Sequence, residues 1–153
     1  MSRAFVKDGE PTFDELPDRP VSPHPNIVTA EGLAAIEATL TRMQREHAQA
    51  LASGDRAALA AAAREVRYWA SRRASAQVMA TPLNPTNVQF GSSVTIVRDD
   101  GRRQSYRIVG EDEGDPSHGT ISYVSPVARA LLGKEVGDVA RVGTSELEIV
   151  AIA

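Results

Sequence analysis

The chain has 153 residues, which suits one mid-sized domain or a small domain with an appendage. Its net charge of −3 excludes a uniformly basic nucleic-acid binder, and the absence of cysteine excludes disulfides, thiolate metal sites and cysteine catalysis. The charged N-terminus contains no long apolar run, so we expect neither a secretory signal nor a membrane span, and we expect a cytoplasmic location.

The first predicted segment, residues 1–28, is rich in proline. Because proline fixes φ and removes an amide donor, this segment is predicted to be extended and irregular. The sequence allows two interpretations. The segment is either a flexible tail or a strap that packs on the body through Phe5, Phe13 and Leu16.

A helical hairpin is predicted over residues 29–79. Thr29 is a suitable N-cap for its first helix, and Glu31 would lie near the positive end of the helix dipole. Gly54 can end this helix, and Asp55 can cap the next one. Helices joined by so short a turn pack antiparallel, and the first would be about 37 Å long.

The apolar residues of both helices recur at alternating spacings of three and four, which is the a/d pattern of a coiled coil. Its side chains are small near the turn and bulky at the far end, so we expect the tip to be the thinner and less stable end. The predicted seam comprises Leu33, Ile36, Leu40, Met43, His47 and Ala50, followed by Leu59, Ala62, Val66, Trp69, Arg73 and Ala76.

A linker is predicted over residues 80–87, because its two prolines block continuation of the helix. Residues 88–153 then change to a period of two and to β-branched residues, which predicts strands. Ser125 and Pro126 supply an N-cap and a first-turn proline for one short helix. The chain is therefore predicted to be α+β, with an antiparallel sheet domain after the hairpin. The predicted strands are 94–97, 105–109, 120–124, 139–142 and 147–152.

Three segments of the second half form a specific combination: Phe90-Gly91-Ser92, Arg107-Ile-Val-Gly-Glu-Asp-Glu113 and Ser125-Pro-Val-Ala-Arg-Ala-Leu-Leu-Gly-Lys-Glu-Val-Gly-Asp138. On these segments the chain resembles the GreA/GreB transcription elongation factor family. The resemblance implies an FKBP-like sheet domain that binds bacterial RNA polymerase at the mouth of the secondary channel. It also implies that the short coiled coil enters the channel.

In that family, acidic residues at the hairpin tip help to hold a catalytic Mg²⁺ of the polymerase, which then cleaves backtracked RNA. Because Mg²⁺ prefers oxygen ligands, a pair of carboxylates serves this purpose much better than one. The family tip has Gly-Asp followed three residues later by Glu. Here Asp55 matches the first acid and Ala58 replaces the second, so Asp55 is either a tip acid that assists Mg²⁺ or a plain helix cap.

The hairpin is also short, as in family members such as the regulator of nucleoside diphosphate kinase. We therefore expect a monomeric polymerase-binding factor, not itself an enzyme and with no cofactor of its own, that modulates transcription without strong cleavage stimulation. The alternative is an active cleavage factor that uses Asp55 and Mg²⁺ shared with the polymerase. A third possibility is an interaction protein for a target other than polymerase.

The resemblance places the polymerase contacts at the start of the short helix, on Val124, Ser125, Pro126 and Arg129. The second helix of the hairpin is rich in arginine, with one acid, Glu65. This surface is either a solvated face or a basic stripe that contacts polymerase or the 3′ end of the nascent RNA. The candidates for that contact are Arg56, Arg64 and Arg67. For Arg73 the alternative is a local ion pair with Glu31 or Glu37 at the base of the first helix.

The remaining polar residues give weaker signals. The acidic turn at residues 111–115 is predicted to be a solvated loop, with weak Ca²⁺ binding as an alternative. The serines lack a neighbouring histidine and aspartate pattern, so a hydrolase is not supported. The histidines at positions 24, 47 and 118 are scattered along the chain, and no metal site is predicted from them.

Overall fold

The computed structural model of the protein describes residues 16–153. The predicted α+β class is confirmed, because two long helices precede a sheet that carries one short α-helix. The predicted strap contacts Phe5 and Phe13 lie outside the described residues. In chain order the elements are β1 (Ile27–Val28), α1 (Ala30–Ser53), α2 (Arg56–Ser75), β2 (Gln77–Val78), β3 (Ser93–Arg98), β4 (Arg103–Val109), a 3₁₀ turn (Pro116–His118), β5 (Thr120–Ser122), α3 (Pro126–Leu131), β6 (Val139–Val142) and β7 (Ser145–Ile152).

The described chain forms two compact units. The helical unit contains residues 16–21 and 37–74, and the sheet unit contains residues 22–36 and 75–153. The first turns of α1 therefore belong with the sheet, although α1 itself is one uninterrupted helix of 24 residues.

The helical unit buries the predicted seam of α1 at Leu40, Met43 and Ala50. In α2 the predicted seam is wrong at Arg73, whose side chain is 58% exposed, while the neighbouring Arg72 is 2% exposed. The reason is compositional, because α2 contains many alanines, and their weak hydrophobic signal fixes the phase of a helix poorly. The small side chains also leave a groove of about 510 Å³ toward the tip, lined by Met43, Glu46, Gln49, Ala50, Ser53, Ala58, Ala61, Ala62 and Glu65.

The sheet unit contains a five-stranded sheet in the order β5-β4-β3-β7-β6. Strand β3 pairs antiparallel with both β4 and β7, and β6 pairs antiparallel with β7. The prediction of a wholly antiparallel sheet is wrong at β5, which pairs parallel with β4. The intervening chain makes a crossover through the 3₁₀ turn instead of a tight hairpin, so β5 returns in the direction of β4.

The core of this unit lies on one face of the sheet, under the short helix α3. Alternate residues of β3, β4 and β7 point to this face because side chains in a strand alternate sides. The fully buried members are Val88, Val94, Ile96, Ile108, Ala128, Leu131, Ala140, Leu147 and Ile149.

A second, two-stranded parallel sheet joins β1 to β2. Ile27 lies opposite Gln77, and Val28 lies opposite Val78. The sequence did not predict this sheet, because strands of two residues are too short to show a period. Its position is informative, since β1 ends just before α1 begins and β2 begins just after α2 ends.

The carboxylate of Glu113 fastens the first turn of α1 to the turn that follows β4. It accepts hydrogen bonds from the backbone amides of Thr29 at 3.1 Å and Gly110 at 3.0 Å, and from the Thr29 hydroxyl. The Thr29 hydroxyl in turn accepts from the amide of Gly32 at 3.0 Å, which confirms Thr29 as the N-cap of α1. The prediction of a solvated acidic loop is therefore wrong at Glu113.

Gly32 leaves the space in which the Glu113 carboxylate lies. A Cβ added at Gly32 would stand 2.1 Å from Cδ of Glu113, which no pair of non-bonded carbons tolerates. The carboxylate also lies at the N-terminus of α1, where the helix dipole favours negative charge. Sequence-distant residues thus specify one another, since 84 positions separate Thr29 from Glu113.

Arg107 provides a second contact between the start of α1 and the sheet. Its guanidinium donates to the Thr81 hydroxyl at 3.0 Å and lies 3.7 Å from the carboxylate of Glu31. The pKa of Glu31 is lowered, first by a hydrogen bond from its own backbone amide and then by the charge of Arg107.

We predict that Gly32→Ala destabilises the protein only while Glu113 is present. Glu113→Ala alone should cost about 2–3 kcal/mol, because it leaves partly buried donors without their charged acceptor. Gly32→Ala in the native background should also destabilise, since the new methyl group displaces the carboxylate. In the Glu113→Ala background the same change should stabilise by up to about 1 kcal/mol, because alanine is the better helix former.

Urea unfolding followed by circular dichroism of the four proteins measures this cycle. Additive effects of the two substitutions would contradict the steric relation between Gly32 and Glu113.

Candidate functional site

Three surfaces contain the residues that the sequence singled out: the hairpin tip, the arginines of α2 and the start of α3. No helix among residues 16–153 is long and apolar enough to span a membrane. Within the same residues, no three histidine or acidic side chains lie close enough to form a metal site.

The hairpin tip presents one carboxylate, that of Asp55. Gly54 adopts a φ of 71°, which ends α1 in the left-handed conformation that glycine tolerates. An oxygen of Asp55 accepts from the amide of Ala58 at 3.1 Å, so Asp55 caps α2. The position three residues after Asp55, where a second acid was looked for, is Ala58. Its backbone amide is the one that donates to Asp55.

The arginines of α2 fall into distinct environments. Arg72 is buried, and Arg73 pairs with Glu37 at 3.6 Å, which is one of the two partners considered from the sequence. Arg64 is half-buried, and its Nε is enclosed without a hydrogen-bond partner among the described residues. Of the three predicted contact residues, Arg56 and Arg67 are exposed.

Arg67 is engaged by the end of the proline-rich segment. Its Nε donates to the carboxylate of Asp18 at 2.5 Å, and its Nη2 donates to the carbonyl of Leu16 at 3.1 Å. Residues 16–21 therefore pack against α2 as a strap, which is one of the two interpretations of the proline-rich segment. The sequence named Leu16 as a strap contact, and its backbone makes the contact seen here.

Arg19 makes a second set of strap contacts that the sequence analysis did not predict. Its guanidinium lies over the ring of Tyr68 at 3.7 Å from the centroid and 5.7 Å from the ring of Trp69. It also donates to the carboxylate of Glu65 at 2.8 Å, and the indole N–H of Trp69 donates to the same oxygen at 3.1 Å. The sequence does contain a signal for this contact. The proline-rich segment carries the adjacent charges Asp18 and Arg19, and α2 carries the adjacent aromatic residues Tyr68 and Trp69.

The start of α3 brings together the four predicted partner-binding residues. Ser125 caps the helix by accepting from the amide of Ala128 at 3.3 Å, and Pro126 occupies the first turn, as predicted. Pro126 and Arg129 are exposed, while Val124 is half-buried. A cap and a proline fix the backbone, so this surface is rigid.

Residues near the N-terminus contribute to the same surface, which the sequence did not predict. The hydroxyl of Tyr123 donates to the carbonyl of Pro25, and a guanidinium nitrogen of Arg129 lies 3.5 Å from Nε2 of His24. The surface at the start of α3 is therefore composed of two distant parts of the chain.

Comparison with known proteins identifies relatives for both halves of the chain. The family model described as transcription elongation factor, GreA/GreB, C-term, matches residues 83–153. The transcription elongation factor GreA of Phenylobacterium zucineum is 35% identical over 137 residues, which are 76% of this chain and 87% of that protein. The GreA of Desulfovibrio desulfuricans is 39% identical over 132 residues, which are 85% of this chain and 78% of that protein.

Other matches are more local. The GreA of Maricaulis maris is 44% identical over 86 residues, so the match spans about half of each protein, 52% of this chain and 55% of that one. Among solved structures, GreA factor homolog 1 of Thermus thermophilus is 22% identical, with 85% of this chain and 99% of that chain covered and a TM-score of 0.39.

We predict that Asp55 contributes to stability as a cap and not through its charge. Asp55→Ala should destabilise the hairpin by about 1 kcal/mol, whereas Asp55→Asn should leave stability nearly unchanged, since asparagine caps helices as well as aspartate does. Thermal unfolding followed by circular dichroism at 222 nm compares the two variants, and an equal loss in both would contradict the capping role.

Proposed function

Because the chain belongs to the GreA/GreB family of transcription elongation factors, we propose that it binds bacterial RNA polymerase at the secondary channel and modulates transcription without strong cleavage stimulation. The proposal treats the chain as a binding factor and not as an enzyme. The start of α3 would make the main contact with polymerase. The helical hairpin would enter the channel, with Arg56, Arg64 and Arg67 toward polymerase or the 3′ end of the nascent RNA.

The observation that carries this proposal is the composition of the hairpin tip. In-line hydrolysis of a phosphodiester by two metal ions needs the second Mg²⁺ to be held by several oxygen ligands. The tip offers Asp55, of which one oxygen already caps α2, and Ala58 stands where a second carboxylate would be required. A single carboxylate in this situation adds little to the affinity of Mg²⁺.

We also propose that the hairpin is shorter than those of the cleavage factors, as its resemblance to the short-hairpin members of the family implies. Helix α2 has 20 residues, so it measures about 30 Å at the usual rise per residue. Every residue removed from such a rod shortens its reach, and the tip acid can assist the polymerase only if it arrives at the active centre.

The surface at the start of α3 supports the proposed contact with polymerase. It is rigid, because Ser125 and Pro126 fix its backbone, and it exposes the cation of Arg129. A rigid exposed surface loses little conformational entropy on binding, which favours affinity. Val124 replaces the polar residue that often precedes Ser-Pro in the family, so the detail of the contact is proposed to differ.

A second candidate function is an active transcript-cleavage factor that rescues backtracked polymerase. The observation that favours it is that Asp55 retains the position of the first tip acid and is exposed. In this case Mg²⁺ would be shared with the polymerase, which would supply the remaining ligands.

The contact with polymerase is tested by a charge reversal. We expect Arg129→Glu to weaken binding to core RNA polymerase by about tenfold, because one favourable charge contact becomes a repulsive one. Arg141→Glu is the control, since Arg141 is also an exposed arginine of the sheet unit, with a side chain that is 78% exposed and pairs with Glu146 at 3.0 Å. Affinity measured by biolayer interferometry should be unchanged for the control.

Absence of binding by the native chain would show that its target is not polymerase. An equal loss for both variants would indicate a non-specific electrostatic effect.

Cleavage is tested on stalled elongation complexes that contain backtracked RNA. We expect the native chain to leave the rate of RNA cleavage near the intrinsic rate and to compete with a long-hairpin relative for the channel. Asp55→Asn distinguishes the two candidate functions, because it preserves the cap but removes the anionic ligand. Strong stimulation by the native chain that is lost in Asp55→Asn would establish the cleavage factor instead.

A further inference from the structure

We propose that residues 16–21 are a detachable strap that covers a binding site for single-stranded RNA on α2. The site comprises the cation of Arg67 and the rings of Tyr68 and Trp69. This inference rests on the proposed function, because contact between α2 and RNA is part of that function. It adds the chemistry of the site and a way in which the chain itself regulates access to it.

The first part of the strap occupies the position of a phosphate. The carboxylate of Asp18 accepts from Nε of Arg67 at 2.5 Å, which is a charge-assisted hydrogen bond between an oxyanion and a guanidinium. Arginine binds carboxylates and phosphates through the same planar array of donors. A phosphate of the RNA backbone therefore makes the contact that Asp18 makes now.

The second part of the strap occupies the position of a nucleobase. The guanidinium of Arg19 is a flat group, and it lies 3.7 Å above the centre of the Tyr68 ring. Trp69 stands edge-on to Tyr68, with ring centroids 5.0 Å apart. Aromatic faces beside a cation are the general platform for single-stranded RNA, because every base has a face that stacks.

The strap is held by a small number of side-chain contacts. The side chains of the Asp18–Arg67 pair are 73% and 47% exposed, and those of the Arg19–Glu65 pair are 34% and 33% exposed. The exposed Asp18–Arg67 pair contributes little and is screened by salt. The part-buried Arg19–Glu65 pair, with the Arg19–Tyr68 contact and the bond from Arg67 to the Leu16 carbonyl, holds the strap more firmly. Residues 16–25 contain no helix or strand, so no ladder of backbone hydrogen bonds adds to these contacts.

Closing the strap changes the charge and the shape of α2 together. In the closed form Asp18 neutralises Arg67, and Arg19 covers a ring. In the open form the cation and the rings become accessible at once. The apparent affinity for RNA is then the intrinsic affinity multiplied by the fraction of molecules in which the strap is open.

The experiment compares the double variant D18A/R19A with the matched control D100A/R102A. Both remove one acid and one arginine, and in the control these form the exposed ion pair at the turn between β3 and β4, with a distance of 2.6 Å. Binding of a fluorescein-labelled oligouridylate is measured by anisotropy. The emission of Trp69, which is the only tryptophan of the chain, reports on the strap directly.

We expect D18A/R19A to shift the emission of Trp69 and to raise the affinity for oligouridylate about fivefold to tenfold, the range that one cation–π contact, one exposed ion pair and one part-buried ion pair allow. The control should change neither quantity. Adding R67A and Y68A to the strap variant should abolish the gain. R19K alone, which keeps the charge but loses the flat stacking group, should raise the affinity in part without endangering the fold.

Three results would overturn the inference. The first is a shift of Trp69 emission in D18A/R19A with no gain in RNA affinity, which would make the strap merely structural. The second is a gain that survives the loss of Arg67 and Tyr68, which would place the RNA elsewhere. The third is no oligouridylate binding by any variant.

Polymerase binding is measured on the same proteins, so that the two proposals can fail separately. If polymerase binds the native chain and RNA affinity does not respond to the strap, only the strap inference is wrong. If polymerase does not bind the native chain, the proposed function is wrong whatever the RNA result.

Discussion

One carboxylate, that of Glu113, determines where the first helix of this protein begins. It satisfies the amide of Thr29, the hydroxyl of the same residue and the amide of Gly110, and these donors come from two distant parts of the chain. A buried donor without an acceptor is costly, so this carboxylate couples the stability of the turn after β4 to that of the start of α1. This arrangement requires the residues found at positions 32 and 29. Gly32 leaves room for the Glu113 carboxylate, and Thr29 supplies two of its hydrogen-bond donors.

Much of the fold follows from signals that act within a few residues. The caps Thr29, Asp55 and Ser125 could be predicted because each bonds an amide only three positions ahead. The direction of β5 could not, since it depends on how a crossover packs and not on the composition of the strand. The role of Glu113 was also missed, because a carboxylate in an acidic run looks solvated until its distant donors are known.

The candidate site shows the same division between local and distant information. The residues at the start of α3 were predicted as one group, and they lie together because they fall within six consecutive positions at the beginning of that helix. The arginines of α2 were also predicted as one group, but Arg72 is buried, Arg73 and Arg67 are paired with acids, and only some positive charge is left toward solvent. A count of charges along a helix therefore overstates the field that a partner experiences.

The small ladder between β1 and β2 has an evolutionary consequence. The helical hairpin begins immediately after β1 and ends immediately before β2. Both of its ends are therefore connected to the same pair of hydrogen-bonded strands. Deleting the same number of turns from both helices shortens the hairpin without moving β1 or β2. Paired deletions in the two helices can therefore change the length of the hairpin during evolution while the pairing of β1 with β2 is kept. Selection can then act on the length of the hairpin independently of its attachment to the sheet unit.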